Sequence, residues 1–282
     1  MNSYQSIAKK ELFNINSEET KKITMITAQK KAGRYNVFLN GEYAFSISEE
    51  TFIHFRLSKG MEITGTLLEE IGDYETSAEA YNKALGFLTG QLRTQDEVAK
   101  KLLKLEFPEE VVGQVLAKLA DLNLLDDAEY ARSYVRTMMK TGDKGPRYII
   151  NHLRQKGVYE NDIQAGLQLF KEEDQVELAT QVGNKIQKRQ SNTSIKQQKL
   201  KVRQNLMNKG FNSGTIDLAF QEIDFSVDEE AEYEKLVKLG ERLIRKHASL
   251  PSYSKKAKIK QALYNKGFEI DLIERFMNEN EL

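Results

Sequence analysis

From residue 73 to the end of the chain, apolar residues recur at intervals of three and four with polar and charged residues between them. That is the period of helices buried along one face. Upstream, from Ile23 to about Gly65, the period shortens to two: Ile23 and Met25, then Tyr35, Val37 and Leu39, point one way. Alternation of this kind predicts strands. Asn40-Gly41, set between Val37-Phe38-Leu39 and Tyr43-Ala44-Phe45, predicts a two-residue hairpin turn, because both turn positions need positive φ. A sheet this small needs something to pack on and is expected to dock on the helices that follow. Residues 1–22 show no period and are expected to be partly disordered.

Along the helical region a short string recurs. Counting from a leading Leu, a bulky apolar residue follows at +5 and a Val or Ile at +10: Leu102, Phe107, Val112; Leu153, Val158, Ile163; Leu206, Phe211, Ile216; Leu263, Phe268, Ile273. Each copy reads as a joint between two helices. The first helix ends on Leu, a Gly takes the left-handed conformation, and the next apolar residue folds back over the last turn. Lys156, Lys209 and Lys266, just before the Gly, suit the negative end of the helix dipole. Glu106 stands where the other copies have Gly, so its turn is expected to differ.

Cap signals divide each repeat into three helices. Thr94 with Glu97 is a capping box, Asp126 with Glu129 caps a helix, and Pro108 and Pro146 suit first-turn positions. The fold class is thus mainly α, with tandem three-helix repeats in an elongated, curved array preceded by a small β domain. The expected divisions are a β domain over 23–70 and repeats over 71–123, 124–170, 171–225 and 226–282. At about 20 Å per unit, four units laid end to end would reach about 80 Å.

Composition narrows the chemistry. The 42 Lys and Arg balance 42 Asp and Glu in 282 residues, so no global polycation argument is available. No Cys is present, which excludes disulfides and thiol catalysis and suits a reducing cytoplasm. No apolar run has the length of a membrane span. His54, His152 and His247, the only histidines, have no ligand-spaced neighbours; structural roles are expected of them, with no metal and no cofactor. Asp126-Asp127 reads as a helix start rather than a metal pair, and no phosphate-binding Gly loop exists.

The zero net charge hides a segregation. The second helix of the third repeat carries Lys196, Lys199, Lys201, Arg203 and Lys209 without an acid. That of the fourth carries Lys255, Lys256, Lys258, Lys260 and Lys266, and that of the second carries Arg147, Arg154 and Lys156. First helices open acidic, with Glu172, Glu173 and Asp174, then Glu229, Glu230 and Glu232, which the dipole alone explains. Arg147, Lys196, Lys255 and Lys256 lie in or near a first turn, where the dipole disfavours cations. Two readings stay open: solvated faces paired with the acidic first helices, or a surface for an acidic partner. Tyr148, Tyr253 and Tyr264 lie among these cations; amphipathic packing is the use expected of them, and stacking on bases is the alternative.

Taken together, Leu92-Arg93-Thr94, Glu97, Leu102, the run Leu124 to Asp127, Tyr130-Ala131, Tyr134-Val135, Gly145-Pro146-Arg147, Ile149, Leu153 and Lys156-Gly157-Val158 resemble the RecX regulatory proteins. The likeness is close over residues 75 to 170 and extends to the later repeats through the recurring Leu-x-x-Lys-Gly-Phe string. It implies a bacterial, non-catalytic, cytoplasmic protein acting as a monomer in recombination, DNA repair and the SOS response. Such a protein binds the RecA recombinase, sits in the groove of its filament on single-stranded DNA, and limits strand exchange and co-protease activity. An independent single-stranded nucleic-acid binder is the alternative. Contact with partner or DNA is expected through Arg93, Arg147, Arg154, Lys156, Lys196, Lys199, Lys201, Arg203, Lys255, Lys256 and Lys258, with no membrane partner. The chain departs from the family pattern at Gly90-Gln91, at Glu106, and by its β extension and fourth repeat.

Overall fold

The computed structural model describes residues 20–226 and 228–282. Most of the segment expected to be disordered, residues 1–19, lies outside the described residues, whereas Lys21 and Lys22 already belong to the first strand. The chain forms two compact units, one ending at Asp127 and one beginning at Ala128.

The first unit opens with strands β1 (Lys21–Ala28), β2 (Arg34–Leu39) and β3 (Glu42–Ser48), helix α1 (Glu49–His54) and the short strand β4 (Glu62–Ile63). The sheet is antiparallel in the order β3-β2-β1-β4. Asn40 and Gly41 make the hairpin turn with φ of 50° and 93°, as their residue types require. Helix α2 (Gly65–Leu88) starts where the Thr64 side chain accepts the Leu67 amide. Its first half buries Leu68 and Ile71 among Ile23, Val37, Ile47 and Ile63 of the sheet, so the sheet does dock on the helix that follows it. Glu75 fastens the two. Its carboxylate is buried, pairs with Arg34 at 2.6 Å, and accepts the Ser48 amide and the Ser48 and Thr51 hydroxyls.

The second half of α2 belongs to another core, with Ala80 and Ala84 packed among Val98, Leu102, Val112 and Leu119 of α3 (Gln95–Lys104) and α4 (Glu109–Asp121). A single helix therefore serves both the sheet and the first three-helix repeat. The expected boundary at residue 70 falls inside it. Thr94 and Glu97 form both bonds of the capping box at the start of α3.

In the second unit three more triplets follow: α5 (Asp127–Thr141), α6 (Pro146–Gln155) and α7 (Glu160–Leu167); α8 (Glu172–Arg189), α9 (Ile195–Asn208) and α10 (Ser213–Glu222); α11 (Glu229–Lys246), α12 (Ser252–Asn265) and α13 (Ile270–Glu279). Each has its own core around the recurring string: Leu153, Val158 and Ile163; Leu206, Phe211 and Ile216; Leu263, Phe268 and Ile273. Burying one such side chain stabilises by about 1.5 to 3 kcal/mol. Leu178 of α8 packs against the second and third repeat cores alike, which makes neighbours stabilise each other.

The joints agree with the sequence at three copies and correct it at one. Gly157, Gly210 and Gly267 have φ of 76°, 91° and 84°. The amide just after each glycine bonds back to the leading Leu: Val158 to Leu153, Phe211 to Leu206 and Phe268 to Leu263. Glu106 does not make a different turn. Its φ is 64°, its amide reaches the Leu103 carbonyl at 2.9 Å, and Phe107 bonds back to Leu102. The hydrogen bonds of the cap outweigh the cost of about 1 kcal/mol that a side chain incurs in the left-handed region.

Candidate functional site

The second helices of the second unit are laid end to end. At the start of α6 the Gly145 amide donates to the Lys209 carbonyl at 2.8 Å and the Arg147 amide to the Gly210 carbonyl at 3.1 Å, so α6 begins on the closing turn of α9. At the start of α9 the Ser194 hydroxyl donates to the Lys266 carbonyl at 2.5 Å and the Gln197 side chain to the Asn265 carbonyl at 3.4 Å, so α9 begins on the closing turn of α12. Carbonyls left over at one helix end are satisfied by main-chain amides at the start of α6 and by side chains at the start of α9. Among the described residues α12 is the last helix of the row. Pro251 at its cap has no amide hydrogen to donate, and Tyr253 beside it is 87% exposed.

This abutment changes the charge argument. Arg147 and Lys196 sit against the positive end of their own helix but beside the negative end of the next one, which offsets the cost. Carboxylates help as well: Glu232 of α11, buried, accepts the Ile195 amide at 2.9 Å. In the first unit Asp127 likewise accepts the Gln95 amide at the start of α3 at 2.9 Å. The acids of the first helices thus do more than attend their own dipoles, because at least these two hold the start of a second helix. At the start of α12, where Lys255 and Lys256 lie, the cap Pro251 has no side-chain capping bond.

Three ion pairs of the basic helices run to third helices: Arg154 with Glu160 at 2.9 Å, Arg203 with Asp217 at 2.7 Å, and Lys260 with Glu274. The hydrogen bond from Arg154 holds the Glu160 carboxyl below its ordinary range and raises the guanidinium in turn. Lys260 holds Glu274 low, with Lys256 adding at longer range. Lys209 pairs with Asp143, whose carboxyl is lowered chiefly by that bond. Lys201 is held by Gln190 at 2.6 Å. Arg93 lies over the Phe87 ring at 4.2 Å and 3.9 Å from Glu97, within the surface of the first repeat. Lys156 is half-buried at the end of α6. Arg147, Lys196, Lys199, Lys256 and Lys258 are exposed and Lys255 half-buried. Among the described residues, none of these six has a carboxylate within ion-pair distance.

The structure gathers three of the candidates. Lys196, Lys199 and Arg203 line one open groove of about 450 Å³ with Leu200, Phe220 and Tyr264. Arg203 lies over the Phe220 ring at 4.8 Å, and Lys199 lies 5.4 Å from the Phe225 ring. Lys258 borders a separate depression with His247 and Gln261. The tyrosines depart from the expected packing role: Tyr148, Tyr253 and Tyr264 are 41%, 87% and 54% exposed. The signal was in the register, because Tyr264 follows the core residue Leu263 and so lies about 100° round the helix from it. His54 and His152 stack on Tyr74 and Tyr134 at 4.1 and 4.3 Å. No acid or histidine cluster suited to a metal occurs among the described residues, nor a helix long and apolar enough to cross a membrane.

A small sheet locked on a long helix, followed by three-helix repeats whose acid-free basic helices abut in a row in the second unit, defines a helical-repeat protein. The chain belongs to the RecX family of regulatory proteins. The family's N-terminal domain matches residues 21–64, its first three-helix domain 80–119, its second 126–167, and its third twice, at 172–220 and 229–277. The chain is 46% identical over 255 residues to the regulatory protein RecX of Levilactobacillus brevis, which covers 90% of this chain and 96% of that one. Identity to the RecX of Limosilactobacillus reuteri is 40% over 260 residues, 92% of this chain and 98% of that one. A crystal structure of regulatory protein RecX superposes with a TM-score of 0.63 at 42% identity, covering 71% of this chain and 99% of that one. The RecX structure from Lactobacillus salivarius gives 0.52 at 39%, over 54% and 99%. The β domain and fourth repeat are therefore no departure: the family has its own N-terminal model, and full-length relatives span both.

Proposed function

We propose that this chain regulates a recombinase filament of the RecA type on single-stranded DNA, chiefly by limiting strand exchange and co-protease activity. It acts in the cytoplasm as a monomer, by occupancy and not by catalysis. Membership of a family of regulatory proteins supports the reading. The observation that carries it is the row of abutting acid-free helices α6, α9 and α12, with Arg147, Lys196, Lys199, Lys255, Lys256 and Lys258 left without ion pairs among the described residues. A filament of protein on DNA offers phosphates and acidic protein surface to such a row.

The test is strand exchange by RecA with and without this protein. Replacing Lys196, Lys199, Lys255, Lys256 and Lys258 together by Gln is expected to weaken inhibition while helix content and melting temperature stay nearly unchanged, since these side chains lie outside the core. Inhibition at the parental level would remove these helices from the mechanism and leave Arg93 and Arg147 as the places to examine.

A further inference from the structure

The two joints of the second unit close with different bonds, main-chain amides at the start of α6 and side chains at the start of α9, and they differ in charge. Counted in sequence from the leading Leu of each repeat, Asp143 and Lys196 occupy one position, and Lys209 and Lys266 another, with Asp143 in the loop before α6 and Lys196 in the first turn of α9. At the joint between α6 and α9 these positions hold the Asp143–Lys209 ion pair. At the joint between α9 and α12 they hold two lysines, and among the described residues neither Lys196 nor Lys266 has a carboxylate within ion-pair distance. The same joint opens into the groove of Lys196, Lys199, Arg203, Leu200 and Tyr264. Where one joint supplies its own anion, the other lacks one.

We propose that the groove at the α9–α12 joint binds the phosphodiester backbone of single-stranded nucleic acid on Lys196 and Lys199 and seats a base against Tyr264. The proposal rests on the reading above for its choice of ligand but concerns direct binding by this chain alone. Lys196 and Lys199 are like charges three residues apart on α9, and an anion bridging them offsets their repulsion. Leu200 and Tyr264, 48% and 54% exposed beside those cations, favour a nucleic acid over an acidic peptide, because a base presents a flat apolar face and a carboxylate does not. A duplex fits poorly, since its bases are stacked inside and offer no face to Tyr264.

The experiment is fluorescence anisotropy of the full chain with a labelled short oligothymidylate, without any recombinase, over a salt series. Replacing Lys196 and Lys199 by Gln is expected to weaken binding and to lower the slope of log affinity against log salt by about 0.7 for each phosphate no longer neutralised. Tyr264→Ala is expected to cost about tenfold in affinity at unchanged slope, while Tyr264→Phe retains parental binding. An abasic oligonucleotide should bind the parent as weakly as the oligothymidylate binds Tyr264→Ala, and Tyr264→Ala should make no difference to it. Parental affinity of Tyr264→Ala for the oligothymidylate would overturn the proposal, as would polyglutamate of equal charge competing as well as the oligonucleotide. Circular dichroism and the melting temperature of each variant exclude a folding defect. If the groove binds as stated but the protein leaves strand exchange untouched, the filament reading fails and the site stands. If inhibition persists while Tyr264→Ala binds like the parent, the site fails and the filament reading stands.

Discussion

The turns after Leu102 and Leu206 share a backbone and differ in what lies on them. Glu106 and Gly210 both take positive φ, and both turns close with the same bond back to the leading Leu. Glu106 is exposed, whereas Gly210 is buried beneath the start of α6. A Cβ at Gly210 would lie 2.5 Å from the Tyr148 amide nitrogen. The glycine is therefore demanded less by the turn, which Glu106 makes as well, than by the helix that lands on it.

The largest effect expected of that comparison is at Gly210. Gly210→Ala adds a backbone collision to the left-handed penalty and should destabilise by about 3 kcal/mol, read from urea denaturation. Gly267→Ala should cost less, because its nearest neighbour is the Ser194 hydroxyl at 2.9 Å, a side-chain atom able to turn aside. Gly157→Ala, at an exposed turn with φ of 76°, should cost only about 1 kcal/mol. Equal losses at Gly210 and Gly157 would show that docking adds nothing.

A smaller effect of opposite sign belongs to Glu106. Glu106→Gly relieves the left-handed strain against the extra entropy of an unfolded glycine, for a net gain of about 0.5 kcal/mol. Glu106→Ala should change little, since both residues carry a Cβ. A loss of stability in Glu106→Gly would mean that the glutamate side chain itself supports the turn.

The smallest effect tests the ion pair at the α6–α9 joint. The Asp143 carboxyl is lowered below its ordinary 3.8, chiefly by its bond from Lys209. A carboxyl depressed in the folded state stabilises above its unfolded pKa, and that contribution is lost as pH falls through the folded value. The stability difference between the parent and Asp143→Asn should accordingly be about 0.5 kcal/mol near neutrality, as for other half-exposed pairs, and shrink below about pH 4. A difference that persisted in acid would assign the effect to packing.

Much of this was legible before any tertiary contact was known. The Asn40-Gly41 turn, the Thr94–Glu97 capping box and the four recurring joints rest on local rules of φ, capping and period, which neighbours along the chain determine. Glu106 misled because residue type reports a preference of about 1 kcal/mol, which the capping bonds override. The exposure of Tyr264 could be read only by counting register from Leu263, and the pairing of Arg203 with Asp217 instead of a first-helix acid depended on which helix lay alongside.

The sequence by itself determined the elements, their order and the segregation of cations onto the second helices, because periodicity and caps act over a turn or two of chain. Only the tertiary structure decided that α6, α9 and α12 abut, that Glu232 closes the start of α9, and that Asp143 meets Lys209 while Lys196 meets no acid. Those interactions join residues dozens of positions apart. Their energy comes from donors, carbonyls and charges that have partners only once the repeats are stacked.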